Sequence, residues 1–172
     1  MKRLSILIII LTLALASVQA QEKGTYTVGF ETQASLYGGS SELKSVDLGF
    51  DLGYNVTDWL TTSLRFKQSV GLFNIDKVKS YQTSGVWGVL GGVLGFNVYR
   101  SDVGTLTLKA SVGATVGKND WKYTYYSGGA YFNMTKQKIK PTIGFGVKYF
   151  DSQADAFDDY LRVFVSLGVR LN

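Results

Sequence analysis

The chain contains no cysteine, no histidine and a single proline. Each absence excludes something. Without cysteine no disulfide can hold the fold, and no lipid-modified cysteine can anchor it. Without histidine neither a Ser–His nor an Asp–His catalytic arrangement can be built, and imidazole metal sites are excluded as well. The sequence therefore predicts no catalytic residue, no cofactor-binding residue and no metal ligand. Charge is scarce too: 18 basic residues stand against 13 acidic ones. That surplus is too mild to argue for nucleic acid.

What is plentiful is glycine, at 20 residues, with 11 tyrosines and 10 phenylalanines. Many β-formers with many small residues point to a sheet protein with close backbone approaches. The first segment is of a different kind. Lys2 and Arg3 precede an apolar run from Leu4 to Ala16, and Val18-Gln19-Ala20 offers small residues to a signal peptidase. The run is short of the roughly 20 residues a spanning helix needs. Residues 1–20 are thus expected to be a cleaved signal peptide, and residues 21–172 a single β-barrel domain.

Val46 to Phe66 sets the pattern for the rest. Val46, Leu48, Phe50, Leu52 and Tyr54 alternate with Asp47, Gly49, Asp51 and Gly53, the period of two of a strand with one apolar and one polar face. Asn55-Val56-Thr57-Asp58 reverses the chain, and Leu60, Leu64 and Phe66 continue the apolar face. The ending Tyr54-Asn55 recurs as Phe96-Asn97 and Phe132-Asn133, and with leucine as Leu171-Asn172. Four such endings imply four descending strands, each preceded by an ascending one. The eight expected strands cover about 25–37, 46–54, 60–66, 85–99, 105–117, 122–132, 139–150 and 161–172. Short turns at 55–59, 100–104 and 133–137 are expected at one end. At the other end, longer loops are expected at 38–45, 71–84, 118–121 and 151–160. This asymmetry is the pattern of a transmembrane barrel.

Glycine placement decides which face is inside. Gly29, Gly49, Gly53, Gly113, Gly144, Gly146 and Gly168 all share the polar face. On a solvated surface each would cost about 0.5–1 kcal/mol against alanine with no packing gain. Inside a narrow barrel they would make room for long Lys and Arg side chains. The expected interior charges are Glu31, Asp47, Asp51, Arg65, Lys67, Lys109, Lys148, Arg162 and Arg170. The apolar face then meets lipid, with Tyr54, Trp59, Phe96 and Phe132 forming a girdle at the short-turn, periplasmic interface.

The leader, the alternating strands, the Tyr-x-x-Thr-Asp-Trp-Leu turn at 54–60 and the alternating last strand resemble the small outer-membrane β-barrels of OmpA/OmpX type. The resemblance spans residues 21–172. It implies an eight-stranded antiparallel up-and-down transmembrane barrel in the outer membrane of a Gram-negative bacterium. It also implies contact with outer-membrane lipid and lipopolysaccharide, insertion by the barrel-assembly machinery, and loops that meet an extracellular ligand. The leading expectation is a structural or surface-interaction barrel with a salt-bridged interior and no catalytic activity. A narrow, weakly anion-preferring, porin-like channel lined by the surplus bases is the alternative. A secreted soluble barrel, its apolar face turned inward on a lipid-like ligand, is a third.

Overall fold

The computed structural model describes residues 23–37, 44–75, 78–84, 88–117, 121–134, 139–153 and 159–171. The expected signal peptide and the tips of all four longer loops lie outside these residues. Nine strands are present: β1 (Tyr26–Tyr37), β2 (Lys44–Asn55), β3 (Leu60–Ile75), β4 (Val78–Thr83), β5 (Val89–Arg100), β6 (Gly104–Thr115), β7 (Tyr123–Met134), β8 (Ile139–Ser152) and β9 (Tyr160–Leu171). All pairings are antiparallel. The sheet runs β2-β1-β9-β8-β7-β6-β5-β3, and a further β2–β3 pairing closes it into an eight-stranded barrel. There is no helix among the described residues.

The alternating sequence explains this closure. Because side chains point to opposite faces at successive residues, one register puts all the polar partners on one side. Phe50 stands opposite Phe66 and Phe30, and Asp51 opposite Arg65 and Gly29. Leu167 stands opposite Thr32 and Ile143. The barrel is polar inside and apolar outside. Asp47 and Lys148 are each 1% exposed, whereas the large apolar side chains of Leu48, Phe145 and Leu167 are 60%, 66% and 62% exposed. The apolar face is thus turned outward and does not line the interior.

Two expectations need correction. The stretch 71–84 is not a plain loop. β3 continues past the point where β5 stops pairing with it, and β4 folds back on it with Val70 opposite Thr83 and Ile75 opposite Val78. The two strands form a ribbon that extends beyond the barrel wall at the long-loop end. Gly88, at a φ of 65°, turns the chain from the ribbon into β5, a left-handed conformation that suits glycine. The second correction concerns the seven inward glycines: three of them, Gly113, Gly144 and Gly146, make room for rings, and none has Lys or Arg among its nearest neighbours. A Cβ on Gly113 would lie 2.7 Å from Tyr125, one on Gly146 2.9 Å from Phe164, and one on Gly144 would overlap the Tyr131 ring. Two face acidic side chains, a Cβ on Gly29 lying 3.4 Å from Asp51 and one on Gly49 4.0 Å from Glu31.

Candidate functional site: the barrel interior

The interior fills in three layers, which is what an eight-stranded barrel has width for. At the short-turn end lies a belt of asparagine and threonine. Asn55, Asn97 and Asn133 each accept a hydrogen bond from the threonine opposite on the next strand. Thr61 Oγ1 donates to Asn55 Oδ1 at 2.8 Å, Thr107 Oγ1 to Asn97 Oδ1 at 2.8 Å, and Thr142 Oγ1 to Asn133 Oδ1 at 2.9 Å. Asn133 Nδ2 also donates to Thr107 Oγ1 at 2.9 Å, so the last two clasps are joined. The aromatic-Asn ending thus has a physical meaning: the ring faces outward while the amide is clasped inside.

The middle layer is ionic, and Arg65 is its hub. Its Nε and Nη2 donate to Asp51 Oδ1 and Oδ2, both at 2.6 Å, and Nη2 also reaches Glu31 Oε2 at 2.8 Å. Lys109 Nζ lies 3.4 Å from the same Glu31 oxygen. Glu31 Oε1 accepts from Gln33 Nε2 at 2.5 Å and from Ser166 Oγ at 2.7 Å. Gln33 passes the network upward, because its Oε1 accepts from Lys148 Nζ. Asp47 Oδ2 takes both Lys148 and, at 3.3 Å, Lys67.

Above this layer, toward the long loops, the lumen is packed with rings. Val89, Trp121, Tyr123, Tyr125, Phe150 and Tyr160 form one buried cluster. Trp121 and Tyr123 have ring centroids 4.6 Å apart, and Tyr123 meets Phe150 edge-on at 5.1 Å. Lys67 Nζ sits 3.7 Å from the Tyr125 centroid and Lys148 Nζ 5.1 Å from that of Phe164, so both ammonium groups have aromatic faces as well as Asp47. Tyr123 Oη donates to Ser69 Oγ at 2.7 Å, which ties the aromatic layer to the wall.

All nine expected interior charges point into the barrel. Glu31, Asp47, Asp51, Arg65, Lys67, Lys109 and Lys148 come together as described. Arg162 lies higher, its guanidinium 5.4 Å from the Tyr160 ring centre. Arg170 lies in the threonine belt, donating to Asn55 Oδ1 at 3.1 Å and Thr61 Oγ1 at 3.3 Å. The four expected girdle residues share one end. Trp59 stacks on Phe96 at 6.1 Å, Tyr54 tilts against Tyr26 at 5.2 Å, and Phe132 pairs across β6 with Leu106. The sequence reading missed the inward rings, since Tyr123, Tyr125 and Tyr131 are inside while Tyr126 is outside. A signal did exist, as the three inward tyrosines all carry odd numbers and share the parity of Asn133.

At the long-loop rim, Asp159 clasps the start of β9 to the end of β8. Its carboxylate accepts from Tyr149 Oη at 2.7 Å and from the Ser152 amide at 2.8 Å. The hydrogen bond from Tyr149, then that from Ser152, holds this carboxyl below the ordinary aspartate range. Comparison with known proteins gives no matching family model, no matching curated protein and no matching solved structure.

Proposed function

We propose that this chain is an integral outer-membrane β-barrel of the OmpA/OmpX type, with a structural or surface-interaction role and no catalytic activity. The observation that carries the reading is the inversion of a closed barrel: ion pairs inside and large apolar side chains outside. Monomeric soluble proteins rarely expose contiguous apolar patches above a few hundred Å², yet here apolar side chains line the outer face of every strand in the ring. Lipid is the solvent that suits such a surface, and closure leaves no unpaired edge in hydrocarbon. A 12-residue strand such as β2 is about 40 Å long. Tilted by about 40°, it rises about 30 Å, enough to carry an apolar band of about 25 Å. The ring of Tyr26, Tyr54, Trp59, Phe96 and Phe132 suits the headgroup level at the periplasmic side.

The up-and-down strand order, insertion by the barrel-assembly machinery, contact with lipopolysaccharide and a loop-borne extracellular ligand belong to the same proposal. The ribbon of β3 and β4 adds a surface for such a ligand. The aromatic layer across the lumen supports a structural role over a porin-like passage. The test is to refold residues 21–172 in detergent micelles and compare gel mobility with and without boiling. A faster unboiled band and planar bilayers without stepwise conductance are expected. Protein that stays soluble without detergent and migrates as one boiling-insensitive band would overturn the reading.

A further inference from the structure

The interior charges are not balanced, and one of the surplus positive charges borders a cavity. A cavity of about 40 Å³ lies on the short-turn side of Arg65, where Lys109, Arg170, Thr27 and Ser63 line it beside Glu31 and Asp51. Both carboxylates are already engaged by Arg65. Lys109 adds one long contact to Glu31 at 3.4 Å and otherwise faces the Tyr131 ring, its Nζ 4.1 Å from the centroid. Among the described residues the hydrogen-bond acceptors of Arg170 are the neutral oxygens of Asn55 and Thr61. Three cations against two carboxylates leave one positive charge beside the cavity. The hydroxyls of Thr27 and Ser63 converge across Gly53, each 2.5 Å from where its Cβ would stand. Neither hydroxyl is engaged in a hydrogen bond among the described residues, so both have a proton to donate.

We infer that this cavity is a binding site for one monovalent anion of halide size, held between Lys109 and Arg170 with Thr27 and Ser63 as hydroxyl donors. The surplus is a single charge, which one monovalent anion neutralises and a dianion would overbalance. The volume is about three times what one water needs, which suits a chloride ion and its remaining water. A cation buried without a counter-charge is costly, and the aromatic layer closes the route to an anion from the long-loop side. Glu31 and Asp51 do not repel the ion from this site, because Arg65 stands on both of them. The site depends on the interior alone and not on which solvent surrounds the barrel.

The experiment is chloride-35 line broadening on the folded barrel in zwitterionic micelles, titrated with sodium chloride against sodium gluconate at constant ionic strength. Saturable excess broadening that bromide displaces is expected. Arg170→Met should weaken chloride affinity about tenfold or more, the loss of one charge-assisted donor. Thr27→Val, which keeps the shape and every charge, should weaken it less. Lys122→Gln, at the opposite rim, should leave it unchanged. If Arg170→Met fails to give the fast unboiled band, Thr27→Val carries the test. Absence of saturable broadening in the unaltered protein would overturn the assignment and leave a water-filled cavity. Broadening unchanged by both Arg170→Met and Thr27→Val would overturn it as well.

Discussion

Arg65 shows how a buried charge can be kept. Its guanidinium is 3% exposed and satisfies two carboxylates at once, one of them bidentately. Taking the three charges out of water is costly, and only this geometry offsets it. Removing the hub should therefore hurt more than removing a peripheral partner. Arg65→Met leaves Glu31 with Lys109 alone and strips Asp51 of its closest cation. It should lower stability by about 3–5 kcal/mol, read from urea unfolding in micelles. Asn133→Ala, which loses the clasp to Thr142, should cost about 1 kcal/mol. Equal losses for the two would contradict the hub. Asp159 gives the pH dependence at the rim. Because its folded-state carboxyl lies below the ordinary range, its contribution is present above the unfolded value of about 4 and is lost as pH falls through the lower folded-state value. The Ser152 amide resonance should thus hold steady from neutral pH down to about 4 and shift only in stronger acid. A midpoint at pH 5 or above would contradict the clasp.

At the scale of the strand, legibility followed the side chains each face has to carry. β6 and β9 alternate cleanly, because their outward residues are apolar and their inward ones are small or charged apart from the rings of Tyr160 and Phe164 on β9. They were readable from the period alone. β7 was not, because tyrosine serves both faces: Tyr126 meets the outside while Tyr123 and Tyr125 pack the lumen. The β3–β4 ribbon was hidden for another reason. A charged residue such as Lys79 is ordinary in a loop and equally ordinary in a two-stranded ribbon. The interior charges could be named from alternation, but not their partners. Glu31 meets Arg65 across the intervening strand β2, and that meeting depends on barrel shear, which no single strand encodes. The Asn–Thr clasps were half visible, since the asparagines recur plainly while their threonines follow at unequal distances. The corrected role of the inward glycines makes its own prediction. Gly144→Val should drive a branched side chain into the Tyr131 ring and cost about 1–3 kcal/mol by overpacking. Adding Tyr131→Leu should recover part of that loss. No loss on Gly144→Val would show that the ring does not need the space.

At the scale of the whole molecule, the two surfaces of one closed sheet have exchanged their usual roles. The interior is held by ion pairs, amide–hydroxyl clasps and a layer of rings, while the outside offers leucine, valine and phenylalanine to its surroundings. That arrangement is stable where the outer solvent is hydrocarbon. A charge set into the middle of the outer face reports on this directly. Phe145→Arg should destabilise the barrel in lipid bilayers by about 2–4 kcal/mol. At the exposed rim Val103→Arg should be nearly neutral. If both substitutions were neutral, the outer face would be meeting water.

The absence of cysteine makes the deciding measurement clean, because every introduced thiol is the only one. Spin labels at Leu52→Cys, Phe66→Cys, Phe145→Cys and Leu167→Cys would be compared in lipid vesicles with labels at the rim positions Lys122→Cys and Val103→Cys. Accessibility to oxygen, which partitions into lipid, would be set against accessibility to a water-soluble nickel chelate. The account predicts high oxygen and low nickel accessibility at the four outer-face positions, and the reverse at the two rim positions. Nickel accessibility at Leu52, Phe66, Phe145 and Leu167 equal to that at the rim would contradict it.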